Sequence, residues 1–160
     1  EGDASRLHRL LVEERKLAIE VSGYWHEGFD PGLFWLYLTL PEGSDPEHVQ
    51  SVLDAELERI TREGVTAAEL QRAKNLTLAS FWKQLATIDG KARLLGEFEV
   101  FHGDWRKLFD APAQYEAVTR DEILAVARDI LDRRRRTVGV LLPQEEVEVE
   151  AEEVTACACS

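Results

Sequence analysis

The sequence has no long apolar run and no targeting segment. Its apolar stretches fall far short of the ~20 residues that a membrane-spanning helix needs, so we predict no membrane span. The first ten residues, EGDASRLHRL, lack a basic region followed by an apolar stretch. We therefore find no signal peptide in them.

Cysteine is also scarce. The only two cysteines, Cys157 and Cys159, stand in the terminal CACS. One Cys-x-Cys pair without a nearby histidine offers too few ligands for a closed zinc site, which takes about four. The same four residues match a prenylation box only loosely, because Cys159 is a poor aliphatic position. We assign no metal or lipid site to this end of the chain.

The chain has a shortage of basic residues. Its 19 Lys and Arg against 31 Asp and Glu give a net charge of −12. A general nucleic-acid binder needs a basic surface that displaces counterions, so this class of function is excluded. The one strong basic cluster is the four arginines at 133–136. We place them at the C-terminus of a helix, where cations complement the helix dipole.

The composition suits one domain. With 44% hydrophobic residues among 160, the chain can bury a single core. Six glutamates crowd the stretch QEEVEVEAEEV near the end. We predict one domain over residues 1–143, followed by a disordered acidic tail over residues 144–160.

The first third of the chain predicts a helix and two strands. Apolar residues recur at helical spacing in residues 3–16 and at period two in residues 17–26. Residues 33–40, LFWLYLTL, are apolar on both faces, which predicts a central strand. Because the loop between the two strands is short, we expect them to pair antiparallel.

The middle of the chain predicts helices. Residues 46–63 form an amphipathic helix with Asp45 as its N-cap. A long helical stretch then runs towards Gly103, and Gly90 and Gly96 inside it are candidate breaks.

The last third predicts two shorter helices, the first over residues 105–116, and a final strand over residues 137–143. Helices that cover one face of a mostly antiparallel sheet fit this order, so the predicted fold class is α+β. Three strands make an incomplete core. We therefore expect part of the fold to lie upstream of Glu1.

Two predicted helix starts share one motif. GVTAAEL and AVTRDEI each place a threonine three residues before a glutamate. Thr66 and Thr119 are the predicted N-caps, and Glu69 and Glu122 reach back to the N–H groups of those caps. Each cap contributes on the order of 1 kcal/mol. Glutamates committed to the backbone in this way are not a repeated catalytic site.

Four tryptophans, Trp25, Trp35, Trp82 and Trp105, are candidate side chains for binding a partner. Tryptophan is more often highly buried. We therefore expect Trp35, on the predicted central strand, and Trp82, next to Phe81, to lie in the core.

Adjacent carboxylates do not indicate an acid–base pair. Glu13 with Glu14, and Glu56 with Glu58, have a spacing on a helix that does not direct the two side chains to one point. We interpret all four as surface charges. The sequence therefore gives no support for a free-standing hydrolase.

Taken together, these segments resemble a known family. SRLHRLLVEERKLAIEVSG, LFWLYLTL, HVQSVLDAELERITREGVTAAELQRAK, VTRDEILAVARDIL and TVGVLLP follow one another as in the C-terminal half-domain of pitrilysin- and insulinase-type zinc metallopeptidases, including mitochondrial-processing-peptidase-like proteins. The resemblance covers roughly residues 2–143. It implies a LuxS/processing-peptidase-like metallohydrolase half-domain that lacks its N-terminal part, and it leaves the bacterial periplasm and cytoplasm open as compartments.

The zinc motif of that family, His-x-x-Glu-His, is absent from the sequence. In the family, zinc polarises a water molecule and the glutamate acts as general base. The four histidines here, His8, His26, His48 and His102, are scattered. His26 with Glu27 is a fragment of the motif that we interpret as a solvated strand end. We predict no metal site in this chain, and zinc only in the intact parent enzyme.

The resemblance also implies where substrate-binding residues would stand. Active members carry an Arg and, seven residues later, a Tyr that hold the substrate backbone near the zinc. Those positions align with Val12 and Ile19, whose aliphatic side chains donate no hydrogen bond. Lys16 replaces a glycine that members often carry. Arg15 and Tyr24 have the right side chains but lie off register, so we predict no catalytic and no substrate-binding residue.

We expect a non-catalytic C-terminal domain or fragment of a zinc metalloendopeptidase, inactive alone. The resemblance implies that its partner is the zinc-bearing or homologous half of the parent and that the intact enzyme encloses unfolded peptide. The parent is either a zinc-holding subunit or an inactive member. The alternative function is a protein-interaction or scaffold domain.

Overall fold

A computed structural model describes residues 5–25 and 28–142. The predicted acidic tail, both cysteines and His26 lie outside the described residues, so the predictions for them stay predictions. The described elements are α1 (Arg6–His8), continued by a π-helix (Arg9–Glu14); β1 (Glu20–Trp25); β2 (Phe34–Thr39); α2 (Pro46–Glu63); α3 (Ala67–Leu85); α4 (Ile88–His102); a 3₁₀ turn (Trp105–Phe109); α5 (Ala111–Ala117); α6 (Arg120–Ile130); and a 3₁₀ turn (Arg133–Arg135).

Strands β1 and β2 form an antiparallel hairpin, as the sequence predicts. The pairing runs from Glu20 opposite Thr39 to Trp25 opposite Phe34. One face of the hairpin packs against the first hydrophobic cluster, whose buried members include leucines of α2. Helix α2 therefore covers one face of the sheet, which confirms the predicted α+β class. The side chains in or against this cluster include Leu11, Val12, Ala18, Val21, Leu36, Leu38, Leu53 and Leu57.

Helix α2 begins and ends where the local signals place it. The Asp45 carboxylate accepts a hydrogen bond from the Glu47 N–H at 3.0 Å, and Pro46 opens the helix. Gly64 ends the helix at φ +72°, in a region of backbone conformation that favours glycine. The predicted apolar stripe is confirmed, because Val49, Leu53 and Leu57 are buried.

The long helical stretch is two helices, α3 and α4. Thr87 starts α4 by accepting a hydrogen bond from the Gly90 N–H at 3.0 Å. A Cβ on Gly90 would lie 2.1 Å from the Gln84 carbonyl oxygen, so the tight turn requires glycine there. Gly96 lies inside α4 and does not interrupt it. The stretch is interrupted between Leu85 and Ile88, where Thr87 caps α4, and not at Gly90, which lies in the first turn of α4.

A second hydrophobic cluster joins the C-terminal helices. Phe81 of α3, Leu94 of α4, Leu108 of the first 3₁₀ turn and Ala111 of α5 are buried together. The helix predicted over residues 105–116 is in fact this 3₁₀ turn followed by α5. None of the helices in the described part of the chain is both long and apolar enough to cross a bilayer.

The predicted final strand is wrong for the described residues. Residues 137–142 have no regular secondary structure, and Val138, Val140, Leu141 and Leu142 are at least half exposed. A strand needs a neighbour to accept and donate its backbone hydrogen bonds. Within the described residues the sheet contains only β1 and β2. The prediction that β2 is a central strand is therefore also wrong for these residues.

Lys16 has an unusual backbone conformation. It links the π-helix to the segment before β1 at φ +52°, and it is the only non-glycine with positive φ among the described residues. An L-residue with a Cβ is strained in this left-handed region, whereas glycine is not.

We predict that Lys16→Gly raises the free energy of unfolding by about 0.5–1 kcal/mol, because the relief of strain exceeds the extra entropy of glycine in the unfolded chain. Urea denaturation measures the change. Lys91→Gly, the same substitution in the regular helix α4, should lower stability by about 1 kcal/mol. Equal losses in both variants would contradict the strain at Lys16.

Candidate functional site

Val12 and Ile19 occupy the positions at which the family resemblance implies Arg and Tyr. Val12 lies in the π-helix and packs against the first hydrophobic cluster. Ile19 lies just before β1, where its N–H donates to the Thr39 carbonyl at 2.7 Å and its side chain is 61% exposed. Neither side chain donates a hydrogen bond. The assignment of these two positions stays a prediction from the sequence.

The backbone around these positions is a wide turn. The Arg15 N–H donates to the Leu10 carbonyl at 3.0 Å, and the Leu17 N–H donates to the Leu11 carbonyl at 2.7 Å. π-helical turns of this kind are frequent at functional sites. Here the turn carries the aliphatic side chain of Val12, at the position where the family resemblance implies Arg.

The off-register residues Arg15 and Tyr24 lie on different elements. Arg15 ends the π-helix, whereas Tyr24 is four residues into β1, roughly 13 Å from the start of the strand. The Tyr24 hydroxyl lies 3.4 Å from the Tyr37 hydroxyl. This hydrogen bond is the first cause of the raised pKa of Tyr24. Tyr24 therefore belongs to a row of aromatic rings on the sheet.

The described histidines lie on separate elements. His8 is in α1, His48 is in the first turn of α2, and His102 ends α4. Over residues 5–25 and 28–142, no group of three His, Cys, Asp or Glu side chains is placed to hold a metal ion. The described part of the chain thus offers no zinc site.

The outer face of the hairpin carries the aromatic row, Tyr24, Trp35 and Tyr37. Neighbouring rings lie nearly parallel, 8–16° apart in plane angle, with centroids 5.7–6.3 Å apart. All three side chains are exposed. An exposed row of stacked aromatic rings is typical of a surface that contacts another molecule.

The predicted burial of Trp35 and Trp82 is wrong. All four tryptophans are exposed, Trp25 by 52%, Trp35 by 40%, Trp82 by 57% and Trp105 by 40%. Trp35 points away from α2, because β2 packs only one face on the helices. Trp82 lies on the side of α3 next to buried Phe81, at an angle of 79° to its ring. Apolar composition alone did not reveal which face lacks a covering layer.

Arg6, in the SRL segment, organises a network of ion pairs. Its guanidinium donates to both carboxylate oxygens of Glu69, at 2.6 and 2.9 Å. It also lies 3.5 Å from Glu56, which Arg59 binds with a second fork at 2.7 and 2.9 Å. Glu56 is only 6% exposed, so the expectation that it is a surface charge was wrong. The network ties α1 to the start of α3.

Both predicted capping boxes are present. Glu69 accepts from the Thr66 N–H and Glu122 from the Thr119 N–H, each at 2.7 Å. Arg6, together with the Thr66 groups, lowers the pKa of Glu69 from 4.5 to about 2. The carboxylate is therefore ionised throughout the neutral range and serves as an anchor rather than a general base.

The two capping boxes lie next to each other. Arg120, the residue after the Thr119 cap, donates to the Val65 carbonyl at 2.7 Å, just before the Thr66 cap. Arg128 of the same helix donates to the Thr61 carbonyl at 2.9 Å. We call residues 61–66, with the carbonyl groups that these arginines bind, the α2–α3 junction. Helix α6 therefore binds the α2–α3 junction through the side chains of Arg120 and Arg128.

The arginine cluster follows α6, as predicted, and binds α2. Arg133 and Arg136 both donate to Asp54, which is 5% exposed, and hydrogen bonding from Arg136 is the first cause of its lowered pKa. Arg135 donates to the carbonyl of Asp129 in the last turn of α6, at 3.2 Å. These cations hold the end of the described chain against α2.

The family comparison agrees with this geometry. A family profile described as the Peptidase M16 inactive domain matches residues 1–77. Uncharacterized zinc proteases of Streptomyces coelicolor and Mycobacterium tuberculosis are each 33% identical over 83% of this chain. The chain spans only 29–30% of the length of these curated relatives.

Solved structures show the same fold. A candidate zinc protease of Bordetella pertussis has a TM-score of 0.77 and 29% identity, over 90% of this chain and 78% of that one. The inactive peptidase domain of a candidate zinc protease of Bordetella parapertussis has a TM-score of 0.74 and 27% identity, over 92% and 80%. The chain therefore belongs to the M16 peptidase family, as a C-terminal inactive peptidase domain, which confirms the resemblance inferred from the sequence.

We predict that Arg6→Ala lowers the free energy of unfolding by about 2 kcal/mol, because Glu69 and the buried Glu56 both lose a charged donor. Urea denaturation at neutral pH measures the loss. Arg9→Ala removes an exposed ion pair with Glu14 and should change stability by less than about 0.5 kcal/mol. Similar losses in both variants would contradict a special role of Arg6.

We also predict that Glu69 makes stability depend on acid pH. Its folded pKa is about 2 and its ordinary value is 4.5, so its contribution is complete above pH 4.5 and is lost as the pH falls towards 2. The stability difference between the native chain and Glu69→Gln should shrink across that range. Thermal unfolding from pH 7 to pH 2.5 tests this, with Glu14→Gln as the exposed control. A difference that stays constant with pH would refute the assignment.

Proposed function

We propose that this chain is the non-catalytic C-terminal domain of a zinc metalloendopeptidase and helps to enclose unfolded peptide substrate in the intact enzyme. The observation that carries the proposal is the match to the inactive peptidase domain from Bordetella parapertussis over 80% of its length, in a sequence without His-x-x-Glu-His. The relatives named zinc proteases are more than three times as long as the matched segment. Zinc and the catalytic base would come from the rest of such a protein.

The surface chemistry supports this role. An unfolded peptide presents backbone amides and apolar side chains, and both pack well on flat aromatic rings. The side chains of Tyr24, Trp35 and Tyr37 are exposed, and their rings stack nearly parallel to one another. Because the row contains no carboxylate, imidazole or thiol, it would hold a peptide without reacting with it.

We predict that the chain alone retains no stoichiometric zinc and cleaves no peptide. Zinc content after dialysis and cleavage of a quenched fluorogenic peptide are the two measurements. When the chain is mixed with the zinc-bearing half of its parent, we expect the two to associate and to cleave an unfolded peptide. Zinc retained by the chain alone, together with cleavage, would overturn the proposal.

The role of the aromatic row is tested in the reconstituted enzyme. The double variant Trp35→Ser, Tyr37→Ser should raise KM at least about tenfold, because two large apolar contacts are lost. Phe109→Ser, at an aromatic residue that is exposed but lies outside the row, should leave KM unchanged. An unchanged KM in the double variant would exclude the row as a peptide contact.

The second candidate function is an inactive family member that acts as a protein-interaction domain. The exposure of all four tryptophans favours it. In that case the other half of the parent lacks the zinc motif, and reconstitution gives a stable complex without cleavage. Size-exclusion chromatography of the chain provides an early check, because a clean monomer that binds no partner counts against an interaction domain.

A further inference from the structure

Two of the three tyrosines, Tyr24 and Tyr37, lie side by side on the outer face of the hairpin. Tyr24 pairs across the strands with Trp35, and Tyr37 stands two residues further along β2, so both tyrosines lie on the same face. Diagonal neighbours of this kind are within reach of aromatic side chains. The hairpin therefore brings together two phenol groups that are 13 residues apart in the sequence.

The hydroxyl ends of these two rings converge. The ring centroids are 5.7 Å apart, whereas the hydroxyl oxygens are 3.4 Å apart, and the ring planes differ by only 8°. The ring carbons at the hydroxyl end therefore lie closer to the partner ring than those at the Cβ end. They include the Cε carbons, ortho to the hydroxyl group, at which phenoxyl radicals couple.

Both phenols are open to solvent, because Tyr24 is 46% exposed and Tyr37 is 48% exposed. The third tyrosine, Tyr115, is 37% exposed, and its ring contacts Phe81 edge-on with centroids 6.3 Å apart. A reagent in solution can therefore reach all three tyrosines. Among the ring contacts of the described residues, the contact between Tyr24 and Tyr37 is the one that joins two phenols.

We propose that Tyr24 and Tyr37 form an oxidative modification site, at which a one-electron oxidant of the haem-peroxidase class couples the two phenols to dityrosine. Three observations carry the proposal: the exposure of both side chains, the short distance between their hydroxyl oxygens and the nearly parallel rings. The site goes beyond the proposed function of the aromatic row and does not depend on it.

The reaction balances with hydrogen peroxide as the terminal oxidant. Each phenol loses one electron and its hydroxyl proton, which leaves two phenoxyl radicals. Their unpaired electrons form one bond between a Cε carbon of Tyr24 and a Cε carbon of Tyr37. The hydrogen atom on each of these carbons then moves to the oxygen of its own ring. The peroxidase uses the two electrons and two protons to reduce one hydrogen peroxide to two water molecules.

The product would join β1 to β2 covalently. Because the new bond closes the segment between Tyr24 and Tyr37 into a loop, it lowers the conformational entropy of the unfolded chain and stabilises the hairpin. It also keeps the two strands in their present register, since a shifted register would separate the two rings.

The site is tested in the full chain, with both cysteines alkylated so that they form no disulfides. Dilute chain is treated with a haem peroxidase and hydrogen peroxide and is then digested with a protease that cleaves after glutamate. This digestion places each tyrosine on a separate peptide: residues 21–27, 28–42 and 100–116. Mass spectrometry should find the first two peptides joined and lighter by two hydrogen atoms than their sum. The yield of this product should exceed that of any product containing Tyr115 at least about tenfold, because the folded hairpin holds the pair together.

Two controls separate the folded geometry from nearness along the chain. With photogenerated ruthenium(III) tris-bipyridine, an oxidant that works in urea, the yield should fall at least about fivefold when urea unfolds the chain. Tyr37→Phe should abolish the product, whereas Tyr115→Phe, the matched substitution outside the hairpin, should leave its yield unchanged.

Three results would overturn the proposal. One is that peptides 21–27 and 28–42 stay unlinked while Trp35 gains oxygen. Another is a link whose yield rises in proportion to the chain concentration, since this shows coupling between copies. The third is an equal yield in the folded and the unfolded chain. A link that is independent of concentration, and that both unfolding and Tyr37→Phe diminish, supports the site.

Discussion

The α2–α3 junction depends on arginine side chains that bind main-chain carbonyl groups and one carboxylate. Arg120 and Arg128 reach it from α6, and Arg6 reaches the adjacent Glu69 from α1. Three parts of the chain that are distant in sequence therefore meet at one turn. A guanidinium suits this task because its rigid fork binds two acceptors at once and stays charged at any physiological pH.

Local signals in the sequence predicted the helix boundaries well. Asp45, Thr66 and Thr119 each cap a helix as expected, because a capping side chain and its backbone partner lie within three residues. Features that depend on distant partners were not predictable in this way. The burial of Glu56 is one example, because its ion-pair partner Arg6 lies fifty residues earlier in the sequence. The exposure of Trp35 likewise depends on which layer covers the sheet.

The candidate site was predictable chiefly through the residues it does not have. A missing zinc motif is visible in the sequence itself, and so is the aliphatic character of Val12 and Ile19. The parallel stacking of Tyr24 on Tyr37 was not visible, because cross-strand neighbours depend on the register of the hairpin. Asp54 gave no such signal, because its partners Arg133 and Arg136 lie far away in the sequence.

The α2–α3 junction affects how the domain unfolds. The two hydrophobic clusters of the domain share no buried residue, and separate clusters often unfold as separate units. Here α2 belongs to the first cluster, α3 belongs to the second, and α6 binds the turn that joins them. Opening either cluster strains the same set of charged hydrogen bonds. The amides of both clusters should therefore exchange with solvent hydrogen as one cooperative unit rather than as two.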